Sequence, residues 1–327
     1  SVDLPIDAGN RYQDKTCKIV YVVEAVQGNA ATSPAPDDEV MSVQWQDLAY
    51  GVSVPAAVNG VITIYDEVEL AAFAASVNAG NTYKGITVAL ADDMDLGGAY
   101  WTPIGLNGDT ATTLFQGTFD GQGHTISNMV VDTLNQNAAV FATRAVVGSY
   151  TAAGFFGSLN GTAKNIIFED ASVNHISTGD QTVNGIAVVA GSIYNFGAID
   201  NVHVNNATVA GNRYVGGIAG YVYGAITNCS VTNATLTATP NAVAADKYDN
   251  GDKVGGIAGY FQSASVYVIS ENAVRNVDIF AYRDAGSIVG AGDAGTAVVA
   301  NEAKNVNIKI DQETYHYGNK DVNAGEI

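Results

Sequence analysis

One nine-residue pattern occurs three times and constrains the fold more than any other feature of this chain. Residues 165–173 read NIIFEDASV, residues 201–209 read NVHVNNATV and residues 228–236 read NCSVTNATL. Each copy begins with Asn, which is followed by an apolar residue, any residue and a second apolar residue. Two polar residues come next, then Ala, then Ser or Thr, and a last apolar residue. Alternation with period two is typical of β-strands, so each copy predicts two short strands joined by a polar corner.

A shorter form of the pattern, Asn-apolar-x-apolar, continues along most of the chain. It begins at Asn128, Asn165, Asn201, Asn228, Asn276 and Asn305, with spacings of 37, 36, 27, 48 and 29 residues. A glycine-punctuated apolar segment precedes most copies, for example VGGIAGY at 215–221 and again at 254–260. Short strands at such spacing predict an all-β fold, a right-handed parallel β-helix whose coils stack in one dimension. A β-propeller is the alternative, but it needs four strands per blade at a regular period.

The repeated Asn residues are expected to have a structural role at the corners of the coils. We expect Asn201 to cap a corner and to form a ladder with Asn165 and Asn228, and the six repeated Asn residues to form one such column. Val202, Val204 and Val209 should point into the core.

The N-terminal part of the chain has a different organisation. Residues 66–78, DEVELAAFAASVN, predict a helix with Asp66 as N-cap and Glu69 three residues later in a capping box. We expect this helix to cap a β-helix spanning residues 49–327. Residues 1–48 form a separate segment, with one predicted strand, CKIVYVVEAV, before a Pro-containing linker.

The charge balance excludes two classes of partner. The chain has 33 acidic and 14 basic residues and a formal net charge of −19, which repels nucleic acid and anionic membrane surfaces. No apolar run approaches the ~20 residues of a membrane span, and we expect no membrane insertion of this sequence. Residues 1–15 show no signal-peptide pattern, so we expect any targeting segment to have been removed. Cys17 and Cys229 form neither a disulfide framework nor a zinc site, and no cofactor is predicted.

The glycine segments followed by Asn-apolar-x-apolar resemble the GLUG repeat of bacterial surface proteins. The lead-in LFQGTFDGQGHTISNMVV and the helix followed by ITVALADDMDL and WTPIG resemble the same architecture in proteins of Bacteroidetes. This resemblance covers about residues 60–310. It implies a right-handed β-helix, export to the cell surface or outer membrane and an adhesin-like role, and it implies no catalytic residues.

The first residues carry a second resemblance. DLPIDAGNRY, followed by a strand and by VQWQDL, resembles the terminal strands of fimbrillin-like domains, over about 45 residues. It implies that residues 1–26 pair with a pilin-like partner.

Several short motifs have structural explanations as well as functional ones. GAGDAG at 290–295 has the GxGxxG form of a dinucleotide site, but it occupies the glycine position of the repeat and is followed by a predicted strand. Asp120 in TFDGQGHT is interpreted as part of a coil corner. Asp249, Asn250 and Asp252 are candidate Ca²⁺ ligands, as is DDMD at 92–95, although a polar loop is the alternative.

The predicted ligand contacts come from basic residues, tyrosines and insertions. Lys164, Arg275 and Lys304 each precede a repeated Asn, so they could form a stripe that contacts anions, or cover a strand with their aliphatic stems. Long insertions follow the first, second and fourth Asn strands, and insertions at equivalent positions of a solenoid emerge on one side. Tyr150, Tyr248 and Tyr282 lie in or beside such stretches and are candidate contacts to sugar or protein surfaces.

The sequence therefore predicts a non-enzymatic adhesin or binding stalk that contacts host or matrix glycan or protein through loops. One alternative is a structural spacer of a pilus-like assembly. Another is a polysaccharide-degrading β-helix enzyme, which needs two carboxylates within about 10 Å of each other in a cleft.

Overall fold

The computed structural model describes residues 44–97, 99–106, 114–132, 152–175, 185–194, 197–240, 251–262, 266–311 and 324–325. They lie in one compact unit, Met41–Ile327. The predicted strand at the start of the chain falls outside these residues, and so does the fimbrillin resemblance except at VQWQDL, where Trp45–Leu48 form a short helix and no strand. No helix among them is long and apolar enough to cross a membrane.

The described residues form two helices and many short strands. The helices are α1 (Trp45–Leu48) and α2 (Glu67–Asn78). The strands are β1 (Val61–Ile64), β2 (Thr87–Leu90), β3 (Met94–Asp95), β4 (Thr118–Asp120), β5 (Thr125–Ser127), β6 (Val130–Asp132), β7 (Ala152–Ala153), β8 (Phe156–Leu159), β9 (Thr162–Glu169), β10 (Ser172–His175), β11 (Gly185–Ile186), β12 (Ala190–Ile193), β13 (Ala198–Asn205), β14 (Thr208–Gly211), β15 (Arg213–Gly216), β16 (Ala219–Val222), β17 (Ala225–Thr227), β18 (Ser230–Ala238), β19 (Asp252–Gly255), β20 (Ala258–Phe261), β21 (Val268–Ser270), β22 (Ala273–Ala281), β23 (Ala285–Gly286), β24 (Val289–Gly292), β25 (Ala297–Val299), β26 (Glu302–Ile310) and β27 (Ala324–Gly325).

The described strands form three sheets, and each coil passes through them in turn. A six-stranded sheet contains β7, β11, β15, β19, β23 and β27, and a five-stranded sheet contains β8, β12, β16, β20 and β24. The remaining strands form the large sheet. All pairings between these strands are parallel and join one coil to the next, as between Ala190 and Ala219. The predicted all-β class and parallel sheets are confirmed, and propeller blades, which are antiparallel, are not formed by these strands.

The apolar positions of the repeat point into the coils. Val202, Val204 and Val209 are buried, as their alternation predicts. In the next coil Val231 and Leu236 occupy the positions of Val204 and Val209. Each coil thus buries its apolar row against its neighbours, which is why a single repeat is not stable by itself.

The glycines of VGGIAGY are required by close backbone contacts between coils. A Cβ on Gly217 would lie 2.4 Å from the carbonyl oxygen of Gly256, and a Cβ on Gly220 would lie 2.2 Å from the amide nitrogen of Ile186. The five- and six-stranded sheets therefore approach each other too closely for a side chain at these positions. Gly290 of GAGDAG lies in β24, between the two residues that pair with Ala258 and Tyr260. It therefore occupies the same repeat position as the last glycine of VGGIAGY.

Helix α2 packs over the first coils, in agreement with its predicted capping role. Asp66 accepts a hydrogen bond from the Glu69 amide at 2.9 Å, which confirms the N-cap. The Glu69 carboxylate accepts from the amide of Tyr65, one residue before the expected position in a capping box. Phe73 is fully buried, with its ring centroid 5.5 Å from that of Phe115.

Each full coil turns two corners within the large sheet, and both use a left-handed backbone conformation. The first corner lies at Asn165, Asn201, Asn228, Glu271 and Ala300, and the second at Asn128, Asp170, Asn206, Asn233, Asn276 and Asn305, all with φ between 53° and 61°. Asn tolerates this conformation better than most residues, because its side chain can hydrogen-bond locally. The strand registers place the members of each corner in one column.

The expectation of a single column of six Asn residues is therefore wrong. Asn165, Asn201 and Asn228 lie at the first corner, whereas Asn128, Asn276 and Asn305 lie at the second. The two corners are five residues apart, and each is followed by the same apolar-x-apolar pattern. The motif alone cannot distinguish them.

Candidate functional site

The Asn side chains at the corners bond mainly to the neighbouring coil. Asn201 Nδ2 donates to Asn165 Oδ1 at 2.9 Å, but Asn228 Nδ2 donates to Asp200 Oδ1 at 2.8 Å. At the second corner, Asn305 donates to Asn276 Oδ1 at 3.0 Å. These bonds satisfy polar groups along the outside of the solenoid, so the corner Asn residues have a structural role.

Asp120 lies one position before the first corner and contacts the first Asn of that corner. Its Oδ1 accepts from Asn165 Nδ2 at 2.9 Å and from the Gln122 amide at 3.0 Å, and Lys164 Nζ lies 3.3 Å from its Oδ2. Burial raises the pKa of this carboxyl, but the hydrogen bonds and the lysine outweigh it and hold the pKa below its usual value. The interpretation of Asp120 as a corner residue agrees with this geometry.

The three predicted insertions, and a fourth segment that was not predicted, leave the solenoid from one corner. The predicted ones include residues 133–151, 176–184 and 241–250, and the fourth is 312–323; the structure describes only the strands that flank them. In each case the chain leaves the large sheet, after β6, β10, β18 or β26, and re-enters at the six-stranded sheet, at β7, β11, β19 or β27. We call this place the insertion corner and define it by the described residues 212–214, 251–253 and 282–284.

A buried carboxylate lies at the centre of the insertion corner. The Asp252 side chain has no solvent exposure, and its Oδ2 lies 2.6 Å from Lys253 Nζ and accepts a hydrogen bond from Arg283. Arg213 Nε lies 3.8 Å from Asp252 Oδ1, so basic side chains from three successive coils surround one carboxylate. A buried charge needs such pairing, because the protein interior solvates it poorly.

This geometry changes the interpretation of Asp252 as a candidate Ca²⁺ ligand. A calcium ion would have to displace Lys253 and Arg283 from the carboxylate and to overcome their positive charge. Asp252 is therefore a structural centre of the corner. Asp249 and Asn250 lie outside the described residues, and their assignment as ligands stays a prediction.

Aromatic rings extend from the insertion corner along the five-stranded sheet. The rings of Tyr221 and Tyr260 stack with centroids 5.6 Å apart, and Tyr214 contacts both at 5.4 Å. Arg213 lies 4.3 Å above the ring of Tyr214 in a cation–π contact. The Tyr260 hydroxyl donates to Asp293, and burial, followed by this bond, raises the pKa of Tyr260.

Tyr282 lies in the insertion corner, next to the end of the insertion at 241–250. Its amide donates to the carbonyl of Gly251 at 2.6 Å, and its side chain is half-buried. Tyr150 and Tyr248, the other two candidate contacts, fall outside the described residues. The structure thus places one of the three predicted tyrosines beside an insertion, with its ring partly accessible.

The predicted basic stripe is not continuous. Lys304 pairs in register with Arg275, but Lys164 pairs with Asp120 and Asp200 before the first corner. The Arg275 guanidinium bonds to Glu302 at 2.7 Å, so its charge is partly balanced. The three residues therefore do not form one stripe. Lys164 precedes the first corner, whereas Arg275 and Lys304 precede the second corner and form a pair.

The acidic turn at 92–95 was predicted as a candidate metal site, but a further potential ligand beside it was not predicted. Asp92, Asp93 and His124 each offer one potential metal ligand, and these atoms lie within 4.8 Å of one another. His124 Nδ1 lies 3.2 Å from Asp93 Oδ1, which also accepts from the Thr125 amide at 2.9 Å. Asp93 therefore has protein partners that join two coils. Only the stacking of the coils brings His124 to this turn, so the sequence of the turn does not predict this contact.

Comparison with known proteins gives three findings. The GLUG motif matches residues 211–237, which contain β15, β16, β17 and all but the last residue of β18, and this confirms the GLUG prediction for that repeat. Halomucin from Haloquadratum walsbyi is 35% identical over 129 residues, which are 38% of this chain and 1% of halomucin. The chain thus corresponds to a very small part of that relative.

The third finding is a solved structure. The crystal structure of a candidate immunoglobulin A1 protease from Bacteroides ovatus superposes with a TM-score of 0.42 and 19% identity, covering 86% of this chain and 87% of that chain. At this TM-score the likeness supports neither a shared fold nor a shared activity. The chain contains a GLUG motif within a parallel β-solenoid.

Proposed function

We propose that this protein is an exported, non-enzymatic surface adhesin or binding stalk. Its ligand would be a host or matrix glycan or protein, contacted by the segments that leave the insertion corner. The observation that carries this proposal is that four insertions of different length and sequence begin and end at the same corner of a regular solenoid. Variable segments on a rigid scaffold are a common arrangement for recognition.

The described residues of the insertion corner are well connected to one another. The Asp252 ion network joins three coils, and the Asn212 side chain donates to the Thr239 carbonyl at 2.8 Å, next to the insertion at 241–250. The half-buried Tyr282 adds a partly accessible ring. The GLUG motif and the likeness to halomucin, named as a mucin, support a location outside the cell.

The test is binding to arrays of glycans and of matrix proteins by the full chain and by a variant in which residues 241–250 are replaced by Gly-Ser. We expect binding that this variant loses while its circular dichroism spectrum is unchanged. Tyr65→Ala, at an exposed tyrosine before helix α2, is the control and should bind normally.

Other outcomes favour the other functions. If no surface binds, and a pilin-like protein is captured through residues 1–26, the chain is a spacer. Hydrolysis of polysaccharide or of immunoglobulin A1 by the purified protein would contradict the non-enzymatic proposal.

A further inference from the structure

A polar groove lies at the corner where the chain enters the large sheet, a different place from the insertion corner. Its volume is about 550 Å³, within the range of small-ligand sites. Three successive coils form it, and the described residues that line it are Lys84, Gly85, Ile86, Thr87, Gln116, Gly117, Thr118, Asn160, Gly161 and Thr162. No acidic or aromatic residue occurs among them.

A row of three threonines forms one wall of the groove. Thr87 pairs in register with Thr118, which pairs with Thr162, and all three side chains are half-buried. The strands that carry them are neighbours, about 4.8 Å apart. Among the described residues these hydroxyls have no hydrogen-bond partner. In the next two coils Ala198 and Ala225 take this position, so the row is confined to the groove.

The floor of the groove is bare backbone. A Cβ on Gly117 would lie 2.6 Å from the carbonyl oxygens of Ile86 and Tyr83, and a Cβ on Gly161 would lie 2.2 Å from that of Gly117. No side chain at these two positions can fill the groove. Its depth is therefore a consequence of how closely the coils stack.

Polar groups of both kinds line the groove beside the threonines. Asn160 Oδ1 is buried and has no hydrogen-bond partner among the described residues, a state that buried polar atoms rarely keep. Lys84 is exposed and contributes the one formal charge among the described lining residues, on a chain whose net charge is −19. The groove thus combines hydroxyl groups that donate and accept, an amide oxygen that needs a donor, and one cation.

We propose that this groove binds an acidic oligosaccharide, with its sugar units running along the solenoid axis. Sugar hydroxyls donate and accept, so they can satisfy both Asn160 and the threonines, and a carboxylate on one sugar pairs with Lys84. The strand spacing is close to the length of one sugar unit, so each coil can contact one unit. The inference concerns a site separate from the insertion corner, and it holds whether or not that corner binds a ligand.

The experiment titrates the full chain with a trisaccharide of glucuronic acid and with the neutral glucose trisaccharide of the same linkage, by calorimetry. We expect binding of the acidic sugar, weakened about tenfold by Thr118→Val, which removes one hydroxyl and keeps the volume. Lys84→Gln should remove the preference for the acidic sugar. The matched control is Thr235→Val, a half-buried threonine on another face of the large sheet, which should bind as the unchanged protein does.

The variant with residues 241–250 shortened separates this site from the proposed function. It should retain binding of the acidic trisaccharide even if it loses all other ligands. Loss of binding in that variant, no binding by the unchanged chain at millimolar sugar, or equal binding after Thr118→Val would each overturn the groove as the site. Equal affinity for the neutral trisaccharide would overturn its assignment to acidic sugars.

Discussion

The side-chain amide of Asn276 donates a hydrogen bond to Oδ1 of Asn233, 3.2 Å away and 43 residues earlier in the chain. Asn228 has the same place in the repeat motif as Asn276. It lies at the first corner, however, where it pairs in register with Glu271. Asn276 itself also accepts a bond from Asn305. The second corner is therefore held by a row of amides that crosses at least three coils.

The first prediction separates the two contributions of a corner Asn. Asn276→Ala should lower the free energy of unfolding by about 2 kcal/mol, since it loses its hydrogen bonds and since Ala tolerates the left-handed conformation less well than Asn. Asn276→Gly should lower the free energy of unfolding by about half as much, because glycine adopts the left-handed conformation without strain. Urea denaturation measures both. Asn307→Ala, which loses one bond to Asp278 without a left-handed backbone, is the control. Equal losses for Ala and Gly would contradict this account.

The second prediction concerns the ion network of the insertion corner. Asp252→Asn leaves Lys253 and Arg283 in a buried place without their counter-charge, and we expect a loss of about 3–5 kcal/mol. Thermal unfolding followed by circular dichroism measures it. Arg275→Gln breaks the exposed pair with Glu302 and should cost less than about 1 kcal/mol. A similar small effect for both variants would show that the corner does not depend on Asp252.

The third prediction is an acid-dependent loss of stability caused by His175. Burial lowers the pKa of this side chain to about 4, although the Asp132 carboxylate opposes the shift. Between pH 6.5 and pH 4 the unfolded chain binds a proton that the folded chain refuses, so stability is present above pH 6.5 and falls toward pH 4. The loss from this group should reach about 3 kcal/mol.

The measurement for His175 is urea denaturation at several pH values. His175→Gln should flatten the profile between pH 6.5 and 4, where this histidine titrates only in the unfolded chain. Asp95 and Asp120, whose pKa values are lowered by hydrogen bonds against their burial, lose their contribution only at lower pH. An unchanged slope in the variant would exclude His175 as the cause.

The fourth prediction concerns the thiol of Cys229. Burial raises its pKa to about 12, and its side chain is almost fully buried. In the folded protein at pH 8 only about one thiol in ten thousand is therefore ionised, and thiol reagents should react only after unfolding. The raised pKa also means that this group supports folding below about pH 9 and that the support is lost as the pH rises toward 12.

Labelling with a chromogenic disulfide reagent measures the reactivity of Cys229. A Cys17→Ser variant restricts the signal to the buried thiol. The labelling rate should rise steeply with urea, in parallel with loss of the circular dichroism signal. Rapid labelling of the folded Cys17→Ser variant in buffer would contradict the burial of Cys229.

Local patterns in the sequence are sufficient to predict much of the fold. The alternation in NVHVNNATV predicts that Val202, Val204 and Val209 are buried, because side chains of a strand point alternately to two faces. The cap at Asp66 is equally local, since its bond spans three residues. The glycines of VGGIAGY mark a fixed position in the repeat, but the close backbone contacts that require them are visible only in the structure.

The candidate sites could not be predicted in the same way. Asp252 looked like a calcium ligand because its own neighbours in sequence are polar, yet Arg213 and Arg283 come from other coils. The groove beside Thr118 was not predicted either. The Gly-Thr pairs at 117–118 and 161–162 are too short to mark a site, and only the stacking of the coils brings them beside Thr87. Contacts between coils depend on insertion lengths, and the local sequence does not reveal those contacts.

The sequence by itself determined that this protein is a stack of parallel strands, with apolar rows inside and Asn at the corners, because these features depend on a period of two and on backbone preferences. Only the tertiary structure decided which Asn residues share a corner, and it separated Lys164 from Arg275 and Lys304. The physical reason is that two corners, five residues apart, carry the same local pattern. Hydrogen-bond register between coils is what distinguishes one from the other.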